Sequence, residues 1–137
     1  MADTRPVIEE LSEAECGQLL AAHHFGRLAV ISGDHPVIFP VNYVYDAGRV
    51  VIRTDPGTKL SSAAQNRVAF EIDETQEAAR TGWSVLVVGT GYDVTDALDS
   101  ASLSARRIPL HTWAPGDKDH WIRIEPTAVS GRRVRPG

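Results

Sequence analysis

The chain has one cysteine, Cys16, among 137 residues, so it forms no internal disulfide and builds no cysteine-based zinc centre. A single thiol on an apolar helix position reads as buried and inert, in keeping with a reducing cytoplasm. Basic excess is lacking too. The net charge is −4 and the isoelectric point near 5.7, which argues against a nucleic-acid surface as the main business. No apolar run is long enough to cross a bilayer, and Met1 to Glu10 is polar with no secretory core after it. The five histidines, His23, His24, His35, His111 and His120, form no paired helical ligand spacing. Gly89-Thr90-Gly91 lacks the third glycine of a dinucleotide loop, and no Gly-x-Ser-x-Gly elbow occurs. Repeats and low-complexity tracts are missing as well. These absences leave a soluble, cytoplasmic protein of one domain, residues 1–137, with no metal, membrane or nucleic-acid partner expected.

What is present is mostly β. Ser12 and Glu15 have capping-box spacing and open a helix whose Cys16, Leu19, Leu20 and His23 share a face, with Gly26 placed to end it. Arg27 to Ser32 and Pro36 to Tyr45 flank Gly33-Asp34 as a hairpin. Asp46-Ala47-Gly48 turns the chain into Arg49 to Thr54, completing a meander. A helix over Thr58 to Gln65 precedes the alternating Val68, Phe70 and Ile72. Glu74 to Thr81 reads as a polar loop. Trp83 to Val94 is the longest strand, with a bulge or bend expected at Gly89 and Gly91. Thr95 is placed to cap a helix over Asp96 to Arg107, and Trp121 to Ser130 supplies the last strand. Six antiparallel strands with a few helices fit a small closed or split barrel.

The most informative run is Arg53-Thr54-Asp55-Pro56-Gly57-Thr58-Lys59-Leu60. It combines a strand end, a tight turn and a helix start. Free backbone N–H groups, a hydroxyl and an ammonium make a phosphate site there. The alternative is that Thr58 merely caps the helix in an ordinary connector. The preceding strand carries Pro40-Val41-Asn42-Tyr43, whose backbone and amide offer donors and acceptors in a plane. Asn42 reads equally as an exposed strand residue, and Tyr43 as barrel core. Trp83, Trp113 and Trp121 are either contacts for a flat ligand or packing anchors. Arg132, Arg133 and Arg135 gather at the C-terminus and read as a solvated end.

In order, Phe25-Gly26-Arg27-Leu28-Ala29, Pro40-Val41-Asn42-Tyr43, Gly57-Thr58-Lys59-Leu60, Val68-Ala69-Phe70-Glu71, Gly82-Trp83-Ser84-Val85 and Ser130-Gly131-Arg132-Arg133 resemble one family. It is the pyridoxamine 5′-phosphate oxidase-like, flavin-nucleotide-binding family. The resemblance runs from about Leu11 to Arg133. It implies a six-stranded antiparallel split β-barrel of Greek-key type that binds FMN. It assigns the flavin phosphate to Arg53, Thr54, Thr58, Lys59 and Leu60, and the ring to Pro40, Val41, Asn42 and Tyr43. Trp83, Ser84 and Trp113 become further contacts, with the Trp83 strand approaching from a second subunit. A homodimer with flavins at its interface is therefore expected. The C-terminus departs from the true oxidases, which end in an arginine- and histidine-bearing segment that binds pyridoxal phosphate. The resemblance thus implies an FMN-dependent oxidoreductase of another small molecule; the alternatives are a flavin carrier or sensor, or a deazaflavin- or haem-binding protein on the same fold.

Overall fold

The computed structural model describes residues 5–116 and 118–137. In chain order the elements are β1 (Val7–Glu10), α1 (Glu13–Ala22), β2 (Phe25–Ser32), β3 (His35–Asn42), β4 (Val44–Asp46), β5 (Arg49–Thr54), α2 (Thr58–Ala63), β6 (Arg67–Gln76), β7 (Thr81–Asp93), α3 (Ser100–Arg106) and β8 (His120–Arg135). All eight strands join one antiparallel sheet in the order β3-β2-β6-β7-β8-β5-β4, with β1 added to the far end of β8. β3 runs directly into β4 through Tyr43, so the first half of that stretch pairs with β2 and the second half with β5. The two ends of the sheet are thereby the same piece of chain, and the sheet curls into the split barrel.

Eight strands replace the expected six for two reasons. The Pro36 to Tyr45 strand breaks at Tyr43, whose N–H leaves the ladder to donate to the His24 carbonyl at 2.9 Å. The polar stretch before α1 becomes β1 because Val7 to Glu10 pairs with Arg132 to Arg135, a partner no local pattern reveals. The expected loop 74–81 shrinks to residues 77–80 for a similar reason: Glu74, Thr75 and Gln76 pair with Trp83, Gly82 and Thr81 through backbone alone.

Helix boundaries follow side-chain chemistry. The capping box opens α1 as expected, with Ser12 Oγ accepting from Glu15 N–H at 3.1 Å and Glu15 accepting from Ser12 N–H at 3.2 Å. Gly26 does not end that helix. The helix stops at Ala22, His23 is already extended, and Gly26 lies in β2, where a Cβ would stand 2.6 Å from the Phe70 ring. α3 begins about four residues later than expected because Asp99, not Thr95, caps it: the Asp99 carboxylate accepts from Ser102 N–H at 3.0 Å. Thr95 is occupied instead by the Asp93 carboxylate, to which its N–H donates at 3.0 Å.

The barrel core is Leu28, Val30, Tyr43, Val50, Ile52, Phe70, Ile72, Val85, Val87, Ile122 and Ile124, all essentially dry. Val51 faces the other way, into a smaller cluster with Val94, Ala105, Leu110 and Trp121. β5 is therefore buried on both faces, and α3 with the chain beyond it covers the barrel wall beside Arg53. The expected irregularity in β7 is found as a register shift between Val88 and Gly89. At Gly91 the end of α2 docks on β7: Gln65 N–H donates to the Gly91 carbonyl at 2.7 Å, and a Cβ would stand 2.4 Å from the Ala63 carbonyl oxygen. No helix among the described residues is long and apolar enough to cross a membrane.

Candidate functional site

β5 ends at Thr54, and the chain passes through Asp55, Pro56 and Gly57 into α2. Gly57 takes φ 142°, a conformation costly for any residue with a side chain, and serves as the helix N-cap without a side-chain hydrogen bond. Thr58 is thus the first helical residue, not the cap, and its side chain is exposed. Thr54 is nearly fully buried, with its hydroxyl donating to the Asp55 carbonyl at 3.1 Å. Leu60 points into the core, so it can offer the site only its backbone.

Lys59 rises beside this turn with its Nζ 5.5 Å from the centre of the Phe39 ring. Among the described residues it makes no hydrogen bond or ion pair. Burial pushes its ammonium pKa down, and the neighbouring charge of Lys118 pushes it further down, against an upward pull from Asp55. Arg53 is committed elsewhere. Its guanidinium donates to the carbonyls of Lys118 and Leu110, each at 3.0 Å, and lies over the Trp121 ring at 5.2 Å. It fastens Leu110 and Lys118 to the barrel. Lys118 Nζ in turn pairs with Asp55 Oδ2.

The same segment reaches the strand that carries Pro40 to Tyr43. Asn42 is buried at 9% exposure, and its Oδ1 accepts the Trp113 backbone N–H at 2.8 Å. That bond fixes the amide and leaves its NH2 as a donor. Trp113 is 73% exposed and stacks on Phe25, with ring centres 4.8 Å apart and planes at 14°. Pro40 is exposed, and Val41 faces the core. Tyr43 is core as well: its hydroxyl donates to the Leu20 carbonyl at 2.7 Å, satisfying an acceptor in the last turn of α1. Burial drives its phenol pKa up, so it stays a donor.

One chain therefore brings together Arg53, Thr54, Thr58, Lys59, Asn42 and Trp113 through a continuous set of contacts. It does not bring Trp83 and Ser84 to them. Trp83 meets His23 at 4.9 Å between ring centres, and Ser84 sits opposite Asp73 and Arg132. α2 docks at Gly91, towards the other end of β7; at about 3.3 Å per residue, Trp83 lies roughly 26 Å from that point along the strand.

Phe25, Phe39, Asp55 and Lys118 also belong to the site, though sequence reasoning did not single them out. Asp55 lay within the motif but reads as a turn residue. Lys118 follows a proline- and glycine-bearing loop with no spacing to tie it to Lys59. The cluster suits an anionic group: Arg53, Lys59 and Lys118 supply three positive charges, and among the described residues Asp55 is the carboxylate that pairs with any of them.

A family model described as pyridoxamine 5′-phosphate oxidase matches residues 12–133. An uncharacterized protein of Mycobacterium tuberculosis is 35% identical over 133 residues, covering 93% of this chain and 86% of its own length. Among solved structures, an FAD-binding protein from Mycobacterium smegmatis is 38% identical with a TM-score of 0.77, covering 93% of this chain and 100% of its own. An FAD-binding protein from Mesorhizobium loti is 28% identical with a TM-score of 0.75, covering 95% and 98% respectively.

Proposed function

The chain belongs to the pyridoxamine 5′-phosphate oxidase family, and from that premise we propose that it binds a flavin nucleotide and serves an oxidoreductase reaction on a small molecule. The observation that carries the reading is the cationic cluster at Lys59, set beside the strand Phe39 to Asn42. A partly desolvated ammonium that is unpaired among the described residues, next to open helix N–H groups, is stabilised by a phosphate. The neighbours described as FAD-binding support the same cofactor class. The anchor acts on the mononucleotide unit, which is FMN itself or the FMN half of FAD.

When bound, the flavin supplies the redox chemistry. The protein's residues have other tasks. Lys59, with the N–H groups and hydroxyl of Thr58, holds the phosphate. Phe39 and Pro40 give apolar cover, and the Asn42 NH2, fixed by its bond from Trp113, donates towards the ring's polar edge. Trp113 shields the position from water. No side chain here needs to act as nucleophile or metal ligand.

The reading includes a homodimer. Trp83 and Ser84 lie far from Lys59 within one chain, so a second copy is the means by which they would approach a flavin. The outer face of β6, β7 and β8 supports this, since Leu86 and Val88 are exposed there beside Ala69 and Ala128. Sedimentation should give a dimer; a monomer that binds flavin tightly would remove the shared site.

Titration with FMN, FAD, riboflavin, a deazaflavin and haem, followed by absorbance and fluorescence, tests the cofactor. FMN binding about tenfold or more ahead of riboflavin supports the phosphate anchor. Preference for haem or deazaflavin, or no binding at all, overturns it. Bound flavin that no nicotinamide or deazaflavin donor reduces would make the protein a carrier or sensor.

A further inference from the structure

His120 opens β8, and among the described residues its buried Nδ1 has no hydrogen-bond partner. A buried ring nitrogen left unpaired is costly, so it signals an ordered water or a ligand that completes it. Strand register says where it lies. His120 stands directly opposite Thr54, and the next rungs on that face are Ile52 with Ile122 and Val50 with Ile124, all dry core. Trp121 alternates to the other face, into the smaller cluster. His120 is therefore the last rung of the barrel interior, at the end where β5 turns into α2. That helix lies across the same end, since Leu60 and Ala63 pack into the core with Ile52 and Ile122. The groups around the ring have other tasks. Thr54 Oγ1 donates to the Asp55 carbonyl at 3.1 Å, the Asp55 carboxylate takes Lys118, and Trp121 N–H donates to Thr95 Oγ1 at 3.1 Å. The imidazole nitrogen is left unspent at the end of the barrel where Thr58 and Lys59 begin α2.

We propose that His120 is a further contact of the flavin phosphate, donating from Nδ1–H to an oxygen of the group that Lys59 and the start of α2 hold. The inference rests on the flavin reading above. The oxygens of an ionised phosphate are acceptors, so the bond requires the proton on Nδ1 and fixes the ring in that form. It is charge-assisted, and therefore stronger than a bond to a neutral hydroxyl. His120 then selects the phosphorylated flavin over riboflavin, which has no phosphate for it to reach. A water on Nδ1, the other way to complete the ring, would serve both ligands alike. Nothing next to His120 in the chain marks this role; the pairing of β8 with β5 does.

The test is a calorimetric titration of the full chain with FMN and with riboflavin, for wild type, His120→Ala, His120→Asn and His120→Gln, with a thermal melt of each. Counted along the side chain, the amide nitrogen of Asn takes the place of Nδ1 and that of Gln the place of Nε2. His120→Ala and His120→Gln should each lose about tenfold in FMN affinity and shift riboflavin by no more than about twofold. His120→Asn, which keeps a donor at the Nδ1 position, should stay within about threefold of wild type for FMN. In protein with 15N-labelled histidine, the Nδ1 resonance missing from His120→Asn should move on adding FMN and stay in place on adding riboflavin. Unchanged FMN affinity in His120→Ala, equal losses for the two ligands, or His120→Gln binding FMN as well as His120→Asn overturns the assignment and leaves the flavin reading standing. Wild type that binds FMN no better than riboflavin, or binds neither, overturns the phosphate anchor and this contact together. If His120→Ala does not fold, the Asn and Gln variants and the resonance decide.

Discussion

Positive side chains gather at two places in this molecule, and their partners differ. Along the seam where β8 meets β1 and α1, each paired arginine has a carboxylate of its own. Arg133 lies 3.5 Å from Glu15, and Arg135 binds Glu9, so one ion pair ties the C-terminal strand to α1 and the other ties it to β1. Around the turn after β5, among the described residues, Lys118 alone pairs with Asp55, Arg53 is spent on backbone carbonyls, and Lys59 has a ring face where an acid would be expected. The first arrangement is already neutral and acts on strand pairing. The second keeps an unspent attraction for an anion in a partly dehydrated setting, where charge acts most strongly. A basic residue therefore signals binding through the partners it lacks. In sequence, Arg132, Arg133 and Arg135 look like the more basic region and read as a solvated end, yet they belong to a sixteen-residue strand.

Substitutions in the two regions should separate binding from folding. Lys59→Ala should weaken FMN or FAD binding by about 1.5–3 kcal/mol while leaving the melting temperature nearly unchanged, since both burial and Lys118 disfavour that ammonium. Isothermal titration beside a thermal melt reads both, and equal affinity for FMN and riboflavin in wild type would take Lys59 out of the site. Tyr43→Phe should do the reverse. Losing the bond to the Leu20 carbonyl should cost about 1–2 kcal/mol of stability in urea unfolding. Flavin affinity should change little, because the hydroxyl faces the core.

Arg135→Ala should cost only ~0.2–1 kcal/mol, fading in high salt, with no effect on flavin. The finest distinction concerns Glu71, whose carboxyl is pushed from 4.5 up to about 7 by burial and by Asp73, against the pull of Arg27. Leu86 on β7 and Arg27 on β2 flank it in the ladder, and Leu86 adds no charge. The folded carboxyl keeps its proton up to about pH 7, whereas the unfolded one releases it near 4.5. The folded state thus holds the extra proton in that window, and stability falls as pH rises through it. Glu71→Gln should flatten that fall; an unchanged slope between about pH 5 and about pH 8 would show that the carboxyl titrates normally.

What could be read without coordinates was local or periodic. The capping box at Ser12 and Glu15, the Gly33-Asp34 hairpin, the 46–48 turn and the irregular β7 all depend on neighbours a few residues away. The errors share a cause as well. Gly26 sits after a helix and so resembles its terminator, but it is glycine because Phe70, distant in sequence, occupies the space of a Cβ. Thr95 has the chemistry of a cap, but Asp93 claims it first. β1 has no apolar alternation to announce it, since its pairing comes from the other end of the chain.

The sequence by itself determined the family, the order of the elements from α1 onward apart from the break between β3 and β4, and the turn that carries Thr58 and Lys59. Those properties are written in short motifs whose meaning survives without knowledge of distant partners. Only the tertiary structure decided which charges are neutralised. It assigned Arg53 to backbone carbonyls, turned Tyr43 inward, split Trp83 from Lys59, and set Lys118 beside Asp55. The physical reason is that a charge or hydroxyl acts according to what lies within a few ångströms of it. Curling the sheet until β3 runs into β4 chooses those neighbours from parts of the chain that no motif spans.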